Sequence, residues 1–262
     1  DYLGDQSINN FIDMMNKRAR ELGAVNTHFM NPNGQHDPQH YSSAWDLYLI
    51  TRAAMEHEDF MVICDTANVK IPATNMSGER NYWTTNHLLS TWRVIGYRNT
   101  EAHGIKTGST DAAKYCLAAT SEKNGMRLVA IVLGTPVSQT RFDEARAMLD
   151  YGFANYVPYT LPDGPPRPEP LTVKGGQQTR VAVEAQGPDA LLIPKGREKE
   201  VTQTVELVAH LEAPVKKGQT VGIWRLSLGD EVLGEYPVRA LRQVPCTTLP
   251  WAYGLLLDSL LA

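Results

Sequence analysis

The stretch "HGIKTGSTDAAKYCLAATSEKNGMRLVAIVLG", residues 103–134, decides how the first half of the chain folds. Two apolar runs, residues 115–120 and 127–134, flank "SEKNGM". Asn124-Gly125 is the residue pair a tight two-residue turn asks for, so the stretch predicts an antiparallel hairpin. Just ahead of it, Lys106, Thr107 and Gly108 set an ammonium, a hydroxyl and a bare backbone side by side. Upstream, Ile8, Phe11, Ile12, Met15, Ala19 and Leu22 recur at helical spacing, with Ser7 as the expected N-cap and Gly23 just past the end. A turn-rich loop, "NPNGQHDPQHYSS", leads into a second helix near Ser43, whose spacing to Asp46 fits a capping box; its apolar face is Leu47, Ile50 and Ala54. Downstream, Phe142, Ala145, Leu149 and Phe153 mark another helix. Helices combined with an antiparallel hairpin imply an α+β domain whose sheet is covered by helices, not a doubly wound nucleotide fold.

At "VPYTLPDGPPRPEP", residues 157–170, proline density rises and helical periodicity stops. The expected organisation is a first domain over residues 1–157, a linker over 158–170, a β-rich domain over 171–246 and an apolar tail over 247–262. The alternation of "RVAVEA", "VTQTVELV" and "TVGIWRLSL", with a Gly229-Asp230 turn before "EVLGEYPVRAL", predicts a small all-β module. The closing "LPWAYGLLLDSLLA" is shorter than the roughly 20 residues a spanning helix needs, and Asp258 interrupts it. An interfacial anchor, a truncated transmembrane segment and a docking helix all stay open.

With 262 residues, 42% of them hydrophobic, the chain can bury one large core or a core plus a satellite domain. A net charge of −4 without a Lys/Arg cluster argues against nucleic acid. Cys64, Cys116 and Cys246 are odd in number and widely spaced, which suggests neither a disulfide framework nor a zinc knuckle; they read as buried thiols. His36 and His40 have a ligand-like gap but sit in a turn-rich loop, and Asp37 and Asp46 read as turn and cap residues, so no metal or other cofactor is expected. The first residues hold no basic segment followed by an apolar run, so no signal peptide is read, and Asp1 and Tyr2 look internal to an element.

K-T-G alone carries little, since composition produces it in roughly one chain in twenty of this length. Its companions carry more. "FIDMMNKRARELGAVNTHFMNPNGQHDPQHYSSAWDLYLITR", "TTNHLL", "GIKTGST", "AAKYCLAATSEKNGMRLVAIVLG" and "RFDEARAMLDYGFANY" resemble, in order, segments of the serine D-alanyl-D-alanine carboxypeptidases, the low-molecular-weight penicillin-binding proteins. "EAPVKKGQTVG" resembles their appended β domain. The resemblance implies a penicillin-binding/β-lactamase-like domain, peptidoglycan stem peptide as substrate, acylation by β-lactams and an extracytoplasmic site, tethered to the membrane surface through the C-terminus. It implies that Lys106 and Thr107 lie in the cleft with Gly108, that the backbone N–H of Ser109 serves the oxyanion hole, and that Arg141 lies near the substrate carboxylate, the competing reading being an exposed arginine at a helix start.

One departure is serious. No serine here is followed three places later by lysine, and Ser7-Ile8-Asn9 matches S-x-N only as text, reading as a helix cap. The family places both motifs upstream of these residues, so the expectation is the C-terminal portion of such an enzyme, inactive by itself and completed by an N-terminal segment bearing S-x-x-K and S-x-N. The alternative is a non-catalytic cell-wall peptide-binding protein that has lost its nucleophile.

Overall fold

A computed structural model describes residues 5–91 and 95–254. Two compact units, residues 1–155 and 156–262, divide the chain. The expected internal start at Asp1 and Tyr2, and the tail from residue 255 onward, lie outside the described residues; 249–254 are helical. Among the described residues no helix is long and apolar enough to cross a membrane.

The first unit runs α1 (Asp5–Glu21), α2 (Ala44–Ala54), α3 (Glu58–Asp65), β1 (Asn68–Ile71), β2 (Arg80–Trp83), β3 (Ala102–Thr110), β4 (Lys114–Lys123), β5 (Met126–Thr135) and α4 (Thr140–Asn155). The expected hairpin is β4–β5: Lys123 pairs with Met126 across Asn124-Gly125, both at positive φ. The K-T-G strand β3 is an edge of the antiparallel sheet β3-β4-β5, so one row of its backbone groups is turned away from β4. Leu117 and Ala119 of β4, with Ala130 and Val132 of β5, meet Phe142, Ala145 and Leu149 of α4 in a buried cluster. These are the apolar positions at period 2 and period 3.6 that the sequence marks. Each large side chain buried there contributes about 1.5–3 kcal/mol relative to exposure.

Helix α1 ends as its sequence demands. Gly23 N–H donates to the Arg20 carbonyl at 3.0 Å and Ala24 N–H to that of Ala19 at 2.9 Å, the pair of bonds that closes a helix on a glycine. It differs from the expectation at Ser7: the described helix already includes Asp5, so Ser7 lies within the helix rather than capping it. At α2 half of the capping box forms, Asp46 N–H donating to Ser43 Oγ at 3.1 Å. The Asp46 carboxylate turns the other way, accepting from Asn26 N–H at 2.6 Å and Thr27 Oγ1 at 2.8 Å, and is fully buried. It thereby ties the loop after α1 to the start of α2. Helix α3 and the β1–β2 hairpin carry no strong periodicity and are additions to the expected elements.

The second unit begins earlier than proline content suggests. Tyr156–Thr160 forms β6, paired with β10 (Ala190–Pro194), so Pro158 belongs to a strand and not to a linker. Proline is tolerated in this two-stranded ribbon because an edge needs no donor on its outer side. The other strands are β7 (Leu171–Lys174), β8 (Arg180–Val181), β9 (Val183–Ala185), β11 (Val201–Leu207), β12 (Leu211–Glu212), β13 (Thr220–Leu228) and β14 (Glu231–Ala240). They build a four-stranded sheet, β11-β13-β14-β9, and a three-stranded one, β12-β7-β8. Trp224, Leu226, Val181, Val221 and Val238 fill the core between the strands. The cysteines depart from the buried reading: Cys64 and Cys116 are half-buried, and Cys246 is exposed near a chain bridge to Gly176.

Candidate active site

The K-T-G strand is held in place by a residue twenty positions upstream. Asn86, buried in "TTNHLL", donates from Nδ2 to the Gly104 carbonyl at 2.8 Å and accepts from Leu88 N–H at 3.1 Å. Gly104 has φ +128°, and a Cβ there would stand 3.0 Å from that of Cys64, so only glycine fits both the backbone and the packing. Two residues on, Lys106 is exposed and its ammonium donates back to the Thr107 carbonyl. Thr107 is buried, and its hydroxyl meets that of Thr85 at 2.5 Å. Gly108 and Ser109 are exposed. Among the described residues a Cβ on Gly108 would meet nothing within 4 Å, so their packing places no demand for glycine there.

Arg141, the second residue of α4, is 7% exposed, which removes the reading of it as an exposed arginine. Its Nη1 donates to the Gly108 carbonyl at 3.2 Å and the Cys116 carbonyl at 3.3 Å, and its Nη2 to Ser138 Oγ at 3.2 Å. The guanidinium lies 4.8 Å from the centre of the Phe142 ring and 5.4 Å from that of Tyr115. Burial lowers its pKa from the ordinary arginine value, against the pull of Cys116 and Tyr115. His87 stacks on Phe142 at 4.5 Å; burial, with Arg141 adding to it, holds the imidazole below its ordinary value, and among the described residues no hydrogen-bond partner meets its buried Nδ1.

The opposite wall comes from the loop after α1. Asn16 accepts from Phe29 N–H at 2.8 Å and donates to the Phe29 carbonyl at 2.9 Å. Asn31 Oδ1 accepts from Gly34 and Gln35 N–H at 2.8 and 3.0 Å, closing the N-P-N-G turn on itself. Asp37 forms the expected turn, accepting from Gln39 N–H at 2.8 Å, and His40 Nδ1 faces Met30 N–H at 3.3 Å. Between this loop and β3 lies a cleft of about 640 Å³. Lys106, Thr107, Gly108, Ser109 and Arg141 all line it, so the structure gathers the predicted residues in one place. Two cations and no carboxylate border it among the described residues. Such a wall suits an anion with planar oxygens.

The sequence reading named "TTNHLL" without assigning work to its members. Asn86 and Thr85 act through contacts to Gly104 and Thr107, and the signal for them was the polar pair ahead of an apolar Leu88-Leu89.

Residues 4–137 match the D-alanyl-D-alanine carboxypeptidase family, and residues 167–245 match the C-terminal domain of penicillin-binding protein 5. D-alanyl-D-alanine carboxypeptidase DacF of Bacillus subtilis is 32% identical over 231 residues, covering 88% of this chain and 57% of that protein. DacA of Haemophilus influenzae is 30% identical over 223 residues, covering 82% of this chain and 53% of the relative. The chain thus spans a little over half the length of these curated relatives. Among solved structures, penicillin binding protein 5 from Haemophilus influenzae superposes with a TM-score of 0.75 at 29% identity, covering 90% of this chain and 66% of that one. The carboxypeptidase DacD from Francisella tularensis gives 0.60 at 26%, covering 92% and 70%. With its K-T-G cleft, its C-terminal β unit and these matches over both, the chain belongs to the D-alanyl-D-alanine carboxypeptidase family.

Proposed function

We propose that the chain supplies one wall of the active site of a serine-type D-alanyl-D-alanine carboxypeptidase. The enzyme removes the terminal D-alanine from peptidoglycan stem peptides through an acyl-enzyme, and β-lactams acylate it in the same way. The observation that carries this reading is the cation-lined, carboxylate-free cleft along β3, in which Lys106, Thr107, Ser109 and Arg141 converge.

Each residue has a role that its position supports. Serine Oγ bonds to the carbonyl carbon of the penultimate D-alanine, the C–N bond to the terminal D-alanine breaks, and the proton passes to the leaving amine; water then adds to the ester carbon, the Oγ–C bond breaks, and the shortened peptide leaves as serine regains its proton. Lys106 places a positive charge beside the serine. Ser109 N–H stabilises the oxyanion, a contribution of ~3–4 kcal/mol for one fixed donor. Thr107 donates to the terminal carboxylate, and Arg141 adds its charge from beneath Gly108. Gly108, whose Cβ would meet open space among the described residues, keeps the approach clear for the peptide.

The serine, its lysine base and S-x-N come from a segment outside this sequence, so the chain alone is inactive. The substrate places the enzyme outside the cytoplasmic membrane, with the apolar C-terminus as its attachment to the membrane surface. Fluorescent penicillin tests the reading on the chain alone and on the chain rejoined to its upstream coding segment. Labelling of the rejoined protein only, on a serine outside residues 1–262, is the expected result. If the rejoined protein fails to label, a peptide-binding protein without a nucleophile takes its place.

A further inference from the structure

Thr85 precedes Thr107 by 22 residues, yet their hydroxyls meet at 2.5 Å. Thr107 is buried and Thr85 exposed, and both line the cleft. They also border a neighbouring hollow of about 420 Å³ walled by Tyr82 and Trp83, so the pair sits where the two spaces join. Each hydroxyl has one proton to give and lone pairs to receive. If Thr107 donates to Thr85, its proton is spent inside the wall. If Thr85 donates, the Thr107 proton is free to point into the cleft, and an arriving carboxylate selects that arrangement because it accepts only. The backbone beside Thr85 is fixed for this, since Asn86 is bonded at once to Gly104 and Leu88.

We propose that Thr85 is a positioning residue: its hydroxyl donates to Thr107 and turns the Thr107 O–H toward the carboxylate of the bound peptide. The proposal rests on the carboxypeptidase reading and adds a determinant of how the free carboxylate is recognised.

The test uses the rejoined full-length protein with Thr85→Val, which keeps the shape and removes the hydroxyl, and Thr85→Ser, which keeps the hydroxyl. Two substrates are compared: a peptide ending in D-Ala-D-Ala, and a thioester of the same acyl group whose leaving group bears no carboxylate. Thr85→Val should lower kcat/KM for the peptide about tenfold more than for the thioester, chiefly through KM, as losing one oriented bond to a charged group predicts. Thr85→Ser should bring most of that difference back. Equal losses on both substrates, no loss, or failure of the serine variant to rescue would overturn the assignment. The thioester arm reports whether the variant is folded. A wild type that turns over neither substrate sinks the carboxypeptidase reading and this inference together, whereas an active wild type with an unaltered valine variant removes Thr85 alone.

Discussion

In the second unit Trp224 is fully buried among Val181, Val221, Leu226 and Val238, and Arg225 pairs on the surface with Glu206 at 2.9 Å and Glu235 at 2.7 Å. In the first unit the arginine that lines the cleft lies deeper. Arg141 is 7% exposed, whereas Arg239 of the second unit is half-buried and donates to the Gly218 carbonyl at 3.1 Å; among the described residues both leave a buried Nε without a hydrogen-bond partner, and Phe11 and Met14 of α1 stand 51% and 65% exposed. Burying a cation is costly, whereas surface ion pairs of the Arg225 kind contribute about 0–1 kcal/mol. The cation buried furthest among the described residues is the one that lines the cleft.

The strongest way to break that contrast is Lys106→Ala in the rejoined protein. Penicillin acylation should fall by roughly 10³-fold, in the range expected of a positioned proton-transfer or charged catalytic group, while urea unfolding of the second unit stays put. A loss below tenfold would strip the cleft of its assigned chemistry. Trp224→Ala is the mirror experiment. It should destabilise the second unit by about 3–4 kcal/mol, read as a lowered unfolding midpoint, and leave penicillin labelling at low temperature intact. Labelling lost in step with the unfolding midpoint would show that the two units do not divide the work.

Gly108→Ala sharpens the contrast from within the first unit. Because its Cβ would enter open space, the melting temperature should not move, yet crowding of a seated ligand by one methyl, worth about 1–3 kcal/mol, should slow acylation about 10- to 100-fold. An unaltered acylation rate would mean that the peptide does not run past Gly108. The smallest effect concerns pH. Burial, with Arg141 adding to it, holds the His87 imidazole below its ordinary 6.5. The unfolded chain therefore takes up this proton at higher pH than the folded one, so the His87 contribution is complete above about pH 6.5 and is lost as pH falls from there toward the lowered value. Urea midpoints at about pH 7.5 and 5.5 should differ in that direction, and His87→Phe should reduce the difference without abolishing it, since burial lowers His40 in the same sense.

How much of this was legible can be judged residue by residue. The Asn124-Gly125 turn and the Phe142, Ala145, Leu149 stripe were readable because each is a pattern within one element. Ser7 misled because the same residue type serves as a cap or sits within a helix, and the described helix already includes Asp5. The linker misled for a related reason: proline signals a break in periodicity, but Pro158 sits in a ribbon edge where its missing donor does no harm. Asp46 was recognised at a helix start, while its burial under Asn26 and Thr27 was not.

By itself the sequence determined the α+β order of the first unit, the strand-rich second unit and the K-T-G motif with its companions, all of which rest on turn chemistry and on the fixed periods of strand and helix. Only the tertiary structure decided that Arg141 passes under Gly108 across 33 residues, that Asn86 holds Gly104 across 18, and that Thr85 meets Thr107 across 22. Those contacts depend on how packed elements bring distant side chains to within 3 Å or so of one another, and no periodicity along the chain encodes that distance.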